Sequence, residues 1–139
     1  VIRALSLSRP WTELVLRHGK DVENRRWATS YRGPLVIHGA KSWDYAWPQV
    51  AIEILGPDVY DLIPPSGETP TGYLGVVDLV DVCRVARESG RACECGPWAF
   101  EAQYHWRITN PRPFPEAIYG PGQMGLWTPP AQVLDLVST

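Results

Sequence analysis

The run Arg3-Ala4-Leu5-Ser6-Leu7 alternates polar and apolar positions, which predicts a strand with one buried face. The pattern then changes. Trp11, Leu14, Val15 and His18 recur at helical spacing, and Gly19 follows where a left-handed residue is easiest without a Cβ. Ser8 is placed to cap this helix and Pro10 to occupy its first turn, where a missing N–H costs nothing. Residues 21–27 predict the next strand, with a turn over 29–33. Pro34-Leu35-Val36-Ile37-His38 is a continuous run between Gly33 and Gly39, the pattern of a central strand. Helical intervals return over 43–55, at Trp43, Ala46, Trp47, Val50, Ala51 and Ile54, until Gly56-Pro57 stops them.

Residues 64–72 predict a loop inside the domain. Over 73–85, Val77, Leu79, Asp81 and Cys83 fall on one side and Val76, Asp78, Val80 and Val82 on the other. A strand of that length implies a bend or bulge, a common way to curve a sheet. Residues 84–96 are polar and irregular, and 104–108 predict a strand ended by Asn110-Pro111. Gly125-Leu126-Trp127 fits a short closing strand, while 131–137 fits either helix or strand. Many short strands, two helices near the front and no βα alternation predict an α+β fold. The expected form is a small, partly open mixed β-barrel with flanking short helices, one domain over residues 1–139.

Composition narrows the class. No apolar run approaches the roughly 18 residues needed to span a membrane, and no leader pattern opens the chain. Cys83, Cys93 and Cys95 are an odd set, which together with the missing leader favours a reducing, cytoplasmic setting. A net charge of −2 argues against a general polyanion binder. The charge is uneven, however: residues 1–43 carry +5 and the remainder −7, which predicts one cationic face. Seven tryptophans supply large apolar surfaces, each with one N–H that needs a partner, for a core or a pocket.

Ala4-Leu5-Ser6-Leu7-Ser8-Arg9-Pro10-Trp11, followed by Gly19-Lys20-Asp21-Val22-Glu23-Asn24-Arg25, resembles the signature of the ASCH domain family. That family's hallmark is a Gly, Lys, Glu and Arg set after the first helix, here Gly19, Lys20, Glu23 and Arg25. Further matches follow in order at 32–38, at Tyr104-His105-Trp106 with Asn110-Pro111-Arg112, and at 122–127, so the resemblance spans nearly the whole chain. It implies a PUA-like barrel, a cleft between barrel and helices, and binding of RNA or of a modified base. A few similar small members act as a ribonuclease or as an amidohydrolase on acetylated cytidine. The amidohydrolase pattern has Thr where this chain has Glu23, and a carboxylate there raises the pKa of a neighbouring lysine.

Residues two apart on a strand share a face, so Glu23 and Arg25 point the same way and Lys20 can reach them from the turn. Either the three form a cleft floor for a phosphate or base carbonyl, or Glu23 and Arg25 are an ion pair at the sheet edge that touches no ligand. Ser8, Arg9 and Trp11 stand at a helix start, which favours anions. Trp11 either stacks a base or packs against Leu14 and Val15, and Trp27, Trp43 and Trp47 share that ambiguity. His38 and Lys41 follow the central strand beside Gly39, where strand ends either open onto a ligand or lie in solvent.

The nucleic-acid-binding candidates are therefore Ser8, Arg9, Trp11, Lys20, Glu23, Arg25, Arg26, His38 and Lys41, with Lys20 and Glu23 doubling as catalytic candidates. Cys93-x-Cys95 with His105 invites zinc, but the spacing misses the usual C-x₂₋₄-C, and a fourth ligand would have to be Cys83 or His38. The expectation is no metal and no cofactor. No Gly-x-Ser-x-Gly elbow and no P-loop occur. The sequence thus predicts a module that binds nucleic acid or a nucleotide. The alternatives are a small amidohydrolase or ribonuclease acting through Lys20, and a domain whose basic face meets an acidic protein.

Overall fold

Leu35, Val36 and Ile37 have apolar neighbours on both faces, which places their strand in the interior of the sheet. In the computed structural model, which describes residues 1–138, this strand is β3 (Gly33–Trp43). It pairs in parallel with β1 (Arg3–Arg9), Ala4 opposite Val36, and antiparallel with β4 (Gly72–Cys83), Leu35 opposite Val77. On its other side β4 pairs with β5 (Tyr104–Ile118), and β5 pairs with β2 (Val22–Arg25). The order β1-β3-β4-β5-β2 is a five-stranded mixed sheet. It leaves β1 and β2 as edges, so the fold is α+β with short helices; among the described residues the sheet is open, and the partly open barrel expected from the sequence is reduced to a mixed sheet.

Three apolar clusters hold the helices to this sheet. Leu5, Leu7, Leu35, Ile37, Val77, Leu79 and Trp106 pack with Val15 and Leu16 of α1 (Trp11–Arg17). Ala4, Val36 and Val76 point to the opposite face and meet Trp127 and Val133 of α5 (Ala131–Val137). Leu14 and Val22 join Trp47 and Ala51 of α2 (Trp47–Leu55), Val59 of α3 (Val59–Leu62), and Trp98 in the third. At Gly75 a Cβ would lie 2.8 Å from the Leu16 side chain and 2.9 Å from the Arg112 carbonyl oxygen. Only glycine lets β4, β5 and α1 approach so closely.

Several expectations need correction. Pro10, not Ser8, caps α1, and the Ser8 hydroxyl bonds the Ser42 hydroxyl at 2.8 Å instead. Trp43 ends β3 rather than opening a helix, because β1 and β3 stay paired out to Arg9 opposite Trp43. The following helix therefore begins at Trp47. The bend expected in β4 is present as three shifts in its register with β5. Asn110-Pro111 does not end β5. Asn110 takes a φ of 53° and the strand runs on, with Arg112 opposite Val76. Beyond Arg107 no β2 residue pairs with β5, so its later prolines fall on an edge where a missing N–H is tolerated. A short helix, α4 (Val85–Ser89), occupies part of the segment expected to be irregular, and Trp127 contributes a single bridge to Ala4 rather than a strand.

Candidate nucleic-acid interface

The turn after α1 and strand β2 bring Lys20, Glu23 and Arg25 to one place. Lys20 Nζ donates to the Val22 carbonyl at 2.6 Å and lies 3.3 Å from Glu23 Oε1. Arg25 Nη1 reaches the other carboxylate oxygen at 3.1 Å. Glu23 thus bridges two cations, with its same-face neighbour Arg25 and the turn residue Lys20 as the alternation implies. Lys20 is only 2% exposed. Burial lowers its pKa below the ordinary 10.5 and outweighs Glu23, which raises it. Glu23 acts in the direction expected from the sequence, and desolvation exceeds it.

These side chains line a cleft of about 440 Å³. Trp11 forms one wall. Its indole N–H donates to Asp44 Oδ2 at 2.8 Å, its ring lies 5.2 Å from Lys20 Nζ, and Phe100 meets it edge-on at 6.1 Å. Trp27 forms another, packed edge-on against buried Trp106 at 4.7 Å, with the Arg25 guanidinium 5.8 Å from its ring. Ser8, Asn24, Arg26, Asp44 and Gln103 complete the lining, and Arg26 is exposed. Asn24 is already engaged: its amide donates to the Trp98 carbonyl at 2.9 Å and its oxygen accepts the Phe100 N–H at 2.8 Å. It clips the segment between α4 and β5 onto β2.

Residues 5–116 match the family model of the ASCH domain. The chain belongs to the ASCH domain family. No curated protein matches it significantly.

Six of the nine binding candidates line the cleft of this ASCH domain: Ser8, Trp11, Lys20, Glu23, Arg25 and Arg26. Three do not. Arg9 is buried and donates to the carbonyls of Ala40, Lys41, Ser66 and Thr69, and to the Thr69 hydroxyl at 2.6 Å. It ties β1 to β3 and to the loop before β4, outside the cleft lining. His38 lies within β3, not after it, and its ring is held between the Ser6 hydroxyl at 3.0 Å and the Gly120 carbonyl at 2.8 Å. Lys41 also lies within β3 rather than after it; it is exposed, and together with His38 it borders a separate hollow near Gly122 and Met124. The single cationic face is also reduced: of the eight cations in residues 1–43, only Lys20, Arg25 and Arg26 reach the cleft.

Asp44, Phe100 and Gln103 were not singled out from sequence. Asp44 follows β3 and the other two precede β5, so nothing local connects them to Lys20. The same holds for a second polar cluster. The ligand atoms of Cys83, Cys93, Cys95 and His105 lie within 4.8 Å of one another, although their spacing along the chain fits no common metal motif.

Proposed function

We propose that this ASCH domain binds a nucleic acid or nucleotide by taking one base into the Lys20 cleft. One observation carries the reading: an aromatic-walled hollow has a buried ammonium at its floor and an exposed guanidinium, Arg26, in its lining. The volume falls in the roughly 300–1,000 Å³ range of small-ligand sites. Trp11 and Trp27 offer π-faces, and base stacking on such rings contributes on the order of 1–3 kcal/mol. Two N–H groups of Lys20 are engaged by Val22 and Glu23, which leaves one of its three for a ligand oxygen. Depth suits Lys20 to a base carbonyl, and exposure suits Arg26 to a phosphate. Family membership supports RNA as the first probe, and a modified base as the second. Among the described residues no helix is long and apolar enough to cross a membrane.

The test is a titration against single- and double-stranded RNA and DNA, with and without modified cytosine and adenine, at several salt concentrations. Arg26→Ala should lower the log–log salt slope by roughly one unit. Lys20→Met should weaken binding about tenfold while leaving the slope unchanged, because a base contact displaces no counterion. Absence of binding to every oligonucleotide and nucleotide would end the proposal.

A second reading rests on the lowered pKa of Lys20, which is the condition for amine base or nucleophile chemistry. In that case the domain hydrolyses a nucleoside amide or an RNA phosphodiester. Products from acetylated cytidine or RNA that vanish in Lys20→Met would favour it over simple binding.

A further inference from the structure

Strand β4 ends at Cys83, and its partner across the antiparallel pair is His105 near the start of β5. The fourteen residues between α4 and β5 contain no helix or strand, and they carry Cys93 and Cys95 back to this strand pair. The result is three sulfurs and one ring nitrogen within 4.8 Å of one another. All three cysteines are free thiols, half-buried, and His105 is 1% exposed.

The geometry points to a structural zinc site built from Cys83, Cys93, Cys95 and His105, closing the loop that forms one wall of the cleft. Four ligands around a tetrahedral zinc ion, with Zn–S near 2.3 Å and Zn–N near 2.0 Å, stand roughly 3.5–3.8 Å apart. The observed separations, 3.0 Å between Cys93 Sγ and His105 Nδ1 and no more than 4.8 Å elsewhere, bracket that size, so small shifts of the four side chains reach it. Three thiolates and an imidazole are soft and borderline donors, the set that selects zinc over magnesium or calcium.

The histidine supplies an independent observation. Its Nε2 is 2.6 Å from the Phe100 carbonyl oxygen, a pure acceptor, so Nε2 carries the proton. Nδ1 then presents its lone pair toward the sulfurs, 3.0 Å from Cys93 Sγ. A ring fixed by a backbone carbonyl on one nitrogen and aimed at thiols with the other is the outer-shell arrangement typical of metal-bound histidine. Without metal, the Cys93 S–H donates to that nitrogen. Binding replaces the thiol protons by the cation and releases them to solvent.

With four protein ligands no coordination position stays open, so the ion organises rather than reacts. What it organises is specific. Phe100 is held through its carbonyl by His105 and through its N–H by Asn24, and its ring meets Trp11. The cluster and the cleft therefore share one loop.

Elemental analysis of the full chain, purified without chelator, should give close to one zinc per chain. Cobalt exchanged into the protein should show the sulfur-to-metal charge-transfer absorption and tetrahedral visible bands of a sulfur-rich site. Alkylation of the three cysteines should speed up at least about tenfold once a chelator removes the metal. The wild-type comparison does not require any variant to fold, and Cys93→Ser with His105→Ala should abolish the stoichiometric zinc. Three outcomes would overturn the assignment: no zinc retained after reconstitution, alkylation indifferent to zinc, or full zinc content in the double variant.

Discussion

Arg9 and Lys20 lie on either side of α1 and are almost equally buried, at 6% and 2% exposure. The region around Arg9 is filled by backbone: its guanidinium reaches four carbonyls and a hydroxyl, all neutral, from two segments of chain, 40–41 and 66–69. The region around Lys20 is open on one side, and its partners are one carbonyl, one shared carboxylate and the face of an indole. Two cations that look alike in the sequence therefore have different surroundings. Planar Arg, with five donors, suits a closed knot of acceptors, whereas Lys, a compact charge with a pKa that burial can move, suits a floor that meets a ligand. Burial alone does not separate the two; what lies opposite the charge does, backbone carbonyls around Arg9 and a cleft beside Lys20.

The largest effect that would test this contrast is expected from Arg9→Met. Leaving several buried carbonyls without a donor should cost about 3 kcal/mol or more in chemical denaturation, with ligand affinity of the surviving folded protein little changed. Lys20→Met should do the reverse. An apolar isostere removes a poorly solvated charge and leaves Glu23 paired with Arg25, so stability should move by less than about 1 kcal/mol while affinity falls. Equal stability losses in the two variants would erase the distinction.

A subtler effect concerns pH. The folded-state pKa of Lys20 lies below 10.5, so between the two values the unfolded chain holds more protons than the folded one. Stability measured relative to Lys20→Met should therefore rise as pH climbs through that window toward 10.5, while affinity for a ligand held by the ammonium falls. The smallest effect belongs to a pair outside both regions. Arg112 holds the Asp78 carboxyl below its ordinary 3.8, at 3.1 Å on a half-exposed surface. Asp78→Asn should cost under about 1 kcal/mol at neutral pH. In the wild type, that contribution should vanish as acid titration passes below the usual carboxylate range, with no change in the cleft.

Much of the frame was legible because its signals are local. The alternation before Ser8, the helical spacing from Trp11 to Val15 and the run at 34–38 each appear as the expected strand or helix. Failures arose where a local signal met a longer-range partner. Trp43 continues the helical periodicity of 46–54, yet parallel pairing with Arg9 keeps it in β3. Asn110-Pro111 resembles a stop, yet β4 pairs with the chain beyond it. In the cleft, Lys20, Glu23 and Arg25 could be placed because strand geometry relates close neighbours. Phe100, Gln103 and Asp44 could not, since only the folded sheet brings them near β2. The placement of Arg9 outside the cleft is not legible, because its acceptors come from 40–41 and 66–69, which no motif connects to it. Similarly, the register that sets Cys83 opposite His105 is invisible in a spacing rule.

The antiparallel pairing of those two residues has an evolutionary consequence. Everything between Cys83 and His105 leaves and re-enters the sheet at adjoining points, so the intervening stretch behaves as a cassette on an intact hairpin base. A lineage could exchange that cassette, and with it the wall carrying Phe100 and Gln103, while the surrounding strands stayed unaltered. Grafting the segment into another member of the family would carry that wall with it and leave the strand register untouched.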